Sequence, residues 1–142
     1  PVLTMGTVYA FTGCHSFDAF LIGIPLGLFT TAILWINEFP DTPSDIETGK
    51  IHLVAKLGVK NARWGYLVLI AMAYISSILL VMCELMSSDT LILLVTIPWA
   101  GWLVYRLFQD YQSRDLVSTN IQTIALQAVA GLLLIIGVCE LF

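Results

Sequence analysis

Charged residues break the chain into long apolar runs, with none inside residues 19–37, 64–83, 90–105 or 116–139. A bilayer core needs about 20 predominantly apolar residues per helix, so these runs predict four membrane-spanning helices. The apolar opening, residues 1–11, is about half a span long. It has neither an initiator Met nor the basic n-region of a signal peptide, and reads as the end of a fifth helix that begins upstream. The expected fold is all-α: a multi-spanning transmembrane helix bundle of four full spans plus the end of a fifth. Residues 1–142 would form one membrane domain, the C-terminal piece of something longer.

Composition removes the soluble alternatives. Of 142 residues, 58% are hydrophobic and 11% charged, too few charges to cover a water-facing surface. Ten acids and six bases leave a net charge of −4 and no basic stripe to neutralise phosphates, which excludes nucleic-acid binding. Cys14, Cys83 and Cys139 are spaced too widely for a metal finger and are expected to pack as small apolar residues.

Charge also orients the bundle. With alternating spans, all six bases, Lys50, Lys56, Lys60, Arg63, Arg106 and Arg114, fall on one side; Asp18, Glu84, Asp89 and Glu140 fall on the other, which has no Lys or Arg. Because Lys and Arg are retained in the cytoplasm, residues 37–63 are expected to be a cytoplasmic loop. Within the spans, Pro25 and Pro98 predict kinks, and Gly23, Gly27 and Gly101 predict close helix approach. Trp35, Trp64, Trp99 and Trp102 lie near predicted span ends, where indoles are favoured. Gln122 and Gln127 suit hydrogen bonds between helices.

The polar concentration that carries chemistry follows the first full span, at residues 37–50, and places four carboxylates between Glu38 and Glu47. Asn37, Asp41 and Asp45 are spaced i, i+4, i+8, which on a helix shares one face with neighbouring Cβ atoms about 5 to 6 Å apart. Two carboxylates and an amide oxygen suit a hard cation such as Mg²⁺, which retains open positions for water or phosphate oxygens. Lys50 is a candidate partner for phosphate charge. The plainer reading makes the segment a solvated juxtamembrane loop, with Asp41 and Asp45 forming turns beside Pro40 and Pro43. Pro43 also biases Thr42 away from helical geometry, so an irregular or freshly started helix is expected there.

The same residues resemble a known motif. The run Asn37-Glu38-Phe39-Pro40-Asp41 through Asp45, then Gly49-Lys50 and Leu53-Val54-Ala55-Lys56-Leu57-Gly58, is similar to the second aspartate-rich motif of the UbiA superfamily of intramembrane prenyltransferases. That pattern is roughly N-E-x-x-D-x-x-x-D-x-x-x-G-K-x-x-L-x-x-[RK]-L-G, and every specified position is matched without a gap. Gly6, Thr7, Val8 and Tyr9, with Thr12 and Gly13, resemble the preceding helix end. The family has nine helices, with this motif between the sixth and seventh, so the resemblance takes in the whole chain as the end of helix five plus helices six to nine.

The resemblance implies a transferase that moves a prenyl group from a polyprenyl diphosphate to a hydrophobic acceptor, an aromatic quinone precursor being the nearest fit. It assigns Asp41 and Asp45 to catalysis and Mg²⁺-diphosphate binding, Asn37 to the same shell and Lys50 to phosphate charge. The chain departs from the family at Ile51, where members carry a base, and at His52, commonly Thr, which is expected to be a solvated loop residue. The family's first aspartate-rich motif belongs to helices outside this chain, so N-terminal helices of the same protein or a partner chain would complete the site. The competing expectation is a degenerate, non-catalytic subunit that packs in a larger complex and binds lipid or pigment.

Overall fold

A computed structural model of the chain describes residues 1–113 and 116–139, the side chains of 137–139 excepted. Arg114 and Glu140, used above to orient the bundle, and the Cys139 side chain lie outside the described residues. The described elements are helices: α1 (Val2–Thr12), α2 (Phe17–Ile22), α3 (Ile24–Glu47), α4 (Leu53–Leu57), α5 (Val59–Met82), a 3-10 helix (Ser88–Thr96), α6 (Ile97–Asp110) and α7 (Leu116–Cys139). Four segments are long and apolar enough to cross a membrane: Phe17–Glu47, Val59–Met82, Ser88–Asp110 and Leu116–Ile136. The four expected spans are therefore present, and the opening residues form the short apolar helix α1.

Helices α3 and α5 pack along each other, and α7 lies against α3, α6 and the 3-10 helix. Each contributes one buried stripe at helical spacing. On α3 the stripe is Phe29, Ala32, Ile36 and Phe39; on α5 it is Ala62, Tyr66, Ile70, Ala73 and Ser77. The opposite faces are also apolar: Val68, Met72, Ile75 and Leu79 of α5 are exposed. Apolar residues on both faces mark a helix whose outer surface meets lipid. The alanines and Ser77 on the inner stripes let backbones approach, as membrane helix packing favours.

Among glycines, Gly23 and Gly27 sit tightly against Pro1, whereas Gly101 faces open space, contrary to expectation. The glycine that brings α3 to α5 is Gly65, which the Trp35 indole covers. Trp35 Nε1–H donates to Ala62 O at 2.8 Å, fixing the ring there. Trp35 thus serves packing between spans. Cys14 and Cys83 are exposed, not packed, and free among the described residues, because each follows the last turn of a helix, beyond the buried stripes.

The prolines behave in two ways. Pro25 and Pro98 do not kink helices; they occupy the first turns of α3 and α6, where an amide donor has no intrahelical acceptor to lose. The breaks lie just before them, at Gly23 and at the 3-10 helix, whose nine residues are long for that geometry. Pro40 and Pro43, in contrast, lie inside α3, which continues to Glu47. The irregularity expected at Pro43 is absent. Hydroxyl donors bond carbonyls beside the missing amides: Thr42 Oγ1–H to Glu38 O at 2.6 Å and Ser44 Oγ–H to Asp41 O at 2.9 Å.

Two buried tyrosines tie the spans together. Thr123 Oγ1–H is spent on Thr119 O, so Tyr66 Oη–H is the donor to Thr123 Oγ1, at 2.9 Å. Thr96 Oγ1–H is likewise spent on Leu93 O, so Tyr74 donates to Thr96 at 2.7 Å. Tyr66→Phe should cost about 0.5–1.5 kcal/mol. In a cycle with Thr123→Val, unfolding in detergent should show coupling at this pair, and additive losses would refute the bond. Gln122 and Gln127 do bond between spans: Trp99 Nε1–H donates to Gln122 Oε1 at 3.2 Å, and Gln127 Nε2–H to Thr30 Oγ1 at 3.5 Å.

Candidate functional site

Because α3 runs unbroken to Glu47, Asn37, Asp41 and Asp45 lie on one face of a single helix. Asp41 is exposed, and its carboxylate makes no hydrogen bond or ion pair among the described residues. Asn37 is half-buried and accepts a hydrogen bond at Oδ1 from Asn120 Nδ2–H of α7. Asp45 is mostly buried, its side chain 16% exposed.

The turn after α3 explains the Gly-Lys pair. Lys50 N–H donates to Asp45 O at 2.8 Å and Gly49 N–H to Ile46 O at 3.1 Å, the two bonds of a Schellman cap. Such a cap needs a left-handed residue at its penultimate position, and Gly49 supplies it with φ +77°. The reversal carries Lys50 back over the helix end, where Nζ lies 3.2 Å from Asp45 Oδ2. Lys50 is well exposed, so this pair contributes little to stability. Its effect is to place a cation beside the motif.

His52 is not the solvated residue expected. Its side chain is 11% exposed and lies between two carboxylates, with Nδ1 3.0 Å from Glu38 Oε2 and Nε2 3.4 Å from Asp45 Oδ2. Glu38 and Asp45 are seven residues apart, two helical turns, so one imidazole bridges both. Nδ1 also faces the Ala55 N–H at 3.3 Å, capping α4; it donates to Glu38 only when protonated and accepts from Ala55 only when not. The reason for the burial is the Schellman turn, which folds the segment after Gly49 back onto α3.

These contacts gather at one end of the bundle. Arg63 secures that end by donating from Nη1 to Phe108 O at 3.2 Å, with its guanidinium over the Phe108 and Tyr111 rings at 4.7 and 4.6 Å. Trp64 packs edge-on against Phe108. The start of α5 and the end of α6 are thereby joined beside the motif.

The structure brings Asp45 and Lys50 together and aligns Asn37 and Asp41 with them on one helix face. Among the described residues, no three His, Cys, Asp or Glu side chains converge into a metal-holding group. Residue spacing missed Glu38, His52 and Asn120. For Asn120, a polar amide in an apolar span was the available signal; for His52, no local signal marked its contact with α3. In the other half of the bundle, Ile22, Leu26, Met86, Gln127, Gly131 and Leu134 line an apolar groove of about 440 Å³.

The chain is 24% identical over 139 residues to the 2-carboxy-1,4-naphthoquinone phytyltransferase of Synechocystis sp., covering 96% of this chain and 45% of that protein. It thus spans about half the length of that relative. No solved structure gives a significant match. The profile of the UbiA prenyltransferase family matches residues 1–129, nearly the full length, and the chain belongs to that family.

Proposed function

We propose that this chain is the part of an integral membrane prenyltransferase that holds the second diphosphate-binding aspartate motif. The reaction would move a prenyl group from a polyprenyl diphosphate to an aromatic quinone precursor. The observation that carries the reading is the common helix face of Asn37, Asp41 and Asp45, with Lys50 returned to Asp45 by the Schellman turn. Family membership supports the reaction class, and the named activity of the naphthoquinone relative supports the acceptor class.

The donor set fits Mg²⁺: Asp41 has an unpaired, exposed carboxylate, and both contacts to Asp45 go to Oδ2, leaving Oδ1 without a partner among the described residues. Oxygen donors of this kind suit a hard cation. Bound Mg²⁺ would neutralise the diphosphate as its charge grows on leaving. Asp41 and Asp45 would hold that cation, and Lys50 would add positive charge at the same end. The apolar groove beside Leu26 and Leu134, in the other half of the bundle, would accommodate the distal part of an isoprenoid tail. The motif end is proposed to face the cytoplasm, since Lys50, Lys56, Lys60, Arg63 and Arg106 gather there. N-terminal helices of the same protein or a partner chain would complete the site.

One observation favours a second reading, a non-catalytic membrane subunit: Asp45 is already engaged by Lys50 and His52. Assay of the complete gene product separates the two. Prenyl transfer should appear with Mg²⁺, vanish with excess chelator and return on adding Mg²⁺. A fully folded protein without Mg²⁺-dependent transfer would reject the enzyme.

A further inference from the structure

Asn37 is held from a helix remote in sequence. Asn120, 83 residues away, donates Nδ2–H to Asn37 Oδ1. The two heteroatoms of an amide diverge from one carbon, so committing the oxygen to α7 leaves Nδ2–H₂ as the end of Asn37 available to a ligand. That nitrogen makes no hydrogen bond among the described residues. A second observation concerns Asn120 itself: its Oδ1 is buried without a hydrogen-bond partner among the described residues. A residue present only to fill space would avoid that burden, since an apolar side chain of similar size leaves no polar atom stranded.

We propose that Asn120 is a positioning residue: by occupying Asn37 Oδ1, it presents the Asn37 amide as a hydrogen-bond donor to a diphosphate oxygen, not as an oxygen ligand to the metal. This deepens the prenyl diphosphate reading and rests on it. It also changes the role expected for Asn37 from the resemblance. A neutral donor beside Asp41 and Asp45 suits an anion that must approach two carboxylates, whereas a third oxygen facing it would add repulsion.

The test measures binding of inorganic diphosphate, with Mg²⁺ present, to the complete gene product in detergent by calorimetry, alongside the Mg²⁺ concentration at half-saturation and Tm. Asn120→Ala and Asn120→Leu should weaken diphosphate binding about tenfold, with the Mg²⁺ requirement changed less than about twofold. The leucine variant removes the stranded oxygen and should keep or raise Tm. Asn37→Asp, which replaces the donor with a charged acceptor, should weaken diphosphate binding by about tenfold or more without raising the Mg²⁺ requirement. In an Asn37→Ala background, Asn120→Ala should add nothing further, the mark of a residue that acts through another.

Gln122→Ala is the structural control, because it breaks another side-chain bond between spans, to Trp99; it should leave diphosphate affinity unchanged. Tight diphosphate binding by Asn37→Asp, additive losses in the double variant, or an equal loss in Gln122→Ala would each overturn the proposal. Binding that depends on Asp41 but not on Asn120 would sink this inference alone. Absence of binding by the wild type, or indifference to Asp41→Asn, would remove the prenyl diphosphate reading and this inference with it.

Discussion

Exchanging Asp41 for asparagine is expected to slow prenyl transfer by about 10²-fold or more, the scale on which losing one key electrostatic stabiliser acts. Asp41 is exposed and its carboxylate has no protein partner among the described residues, so the exchange should leave Tm unchanged. Loss of rate at constant stability would isolate a role in the reaction. Asp45→Asn should be as slow, but it also removes the charge that faces Lys50 and His52. A small fall in Tm and a more mobile turn at residues 48–52 are expected to accompany it. If either exchange leaves the rate intact in the folded protein, that aspartate does not hold the diphosphate metal.

The largest stability effect is expected from a single carbon at Gly65. Alanine there should favour the helix by about 1 kcal/mol on propensity alone. A Cβ at this position, however, would run into the Trp35 indole, which its bond to Ala62 O pins in place. Overpacking of this kind costs about 1–3 kcal/mol, so Gly65→Ala should be net destabilising, by about 1–2 kcal/mol. The decisive comparison is a change of sign. In a Trp35→Leu background the obstruction is gone, and Gly65→Ala should become neutral or stabilising. Destabilisation of equal size in both backgrounds would show that Trp35 is not the obstacle. Because Trp35 and Asp45 share α3, a shift at Gly65 should also be felt at the motif, as a rise in KM for the prenyl diphosphate.

The spans were legible because charge is excluded from the bilayer core, and the few charges present therefore mark the helix ends. The aspartate spacing was equally legible, being a property of one helix. What escaped depends on contacts between segments. Pro43 argued locally against a continued helix, yet α3 runs through it to Glu47. His52 looked solvated until the turn at Gly49 folded it against Glu38 and Asp45. Gly65 and Asn120 each matter through a partner on α3, and helical periodicity carries no record of which stripe meets which.

The 3-10 segment at the start of the third span alters how far that span reaches. At about 2.0 Å per residue, the nine residues Ser88–Thr96 extend about 18 Å, where α-helix at about 1.5 Å per residue would give about 13.5 Å. With α6 added, the third span reaches about 39 Å, slightly beyond the roughly 36 Å of α5, although it contains one residue fewer. Tighter winding thus lets a shorter sequence match its neighbours across the same bilayer. Rewinding those nine residues as α-helix would draw the two ends of the span together by about 4–5 Å, pulling the Phe108 carbonyl away from Arg63 and loosening the end of the bundle that carries the motif.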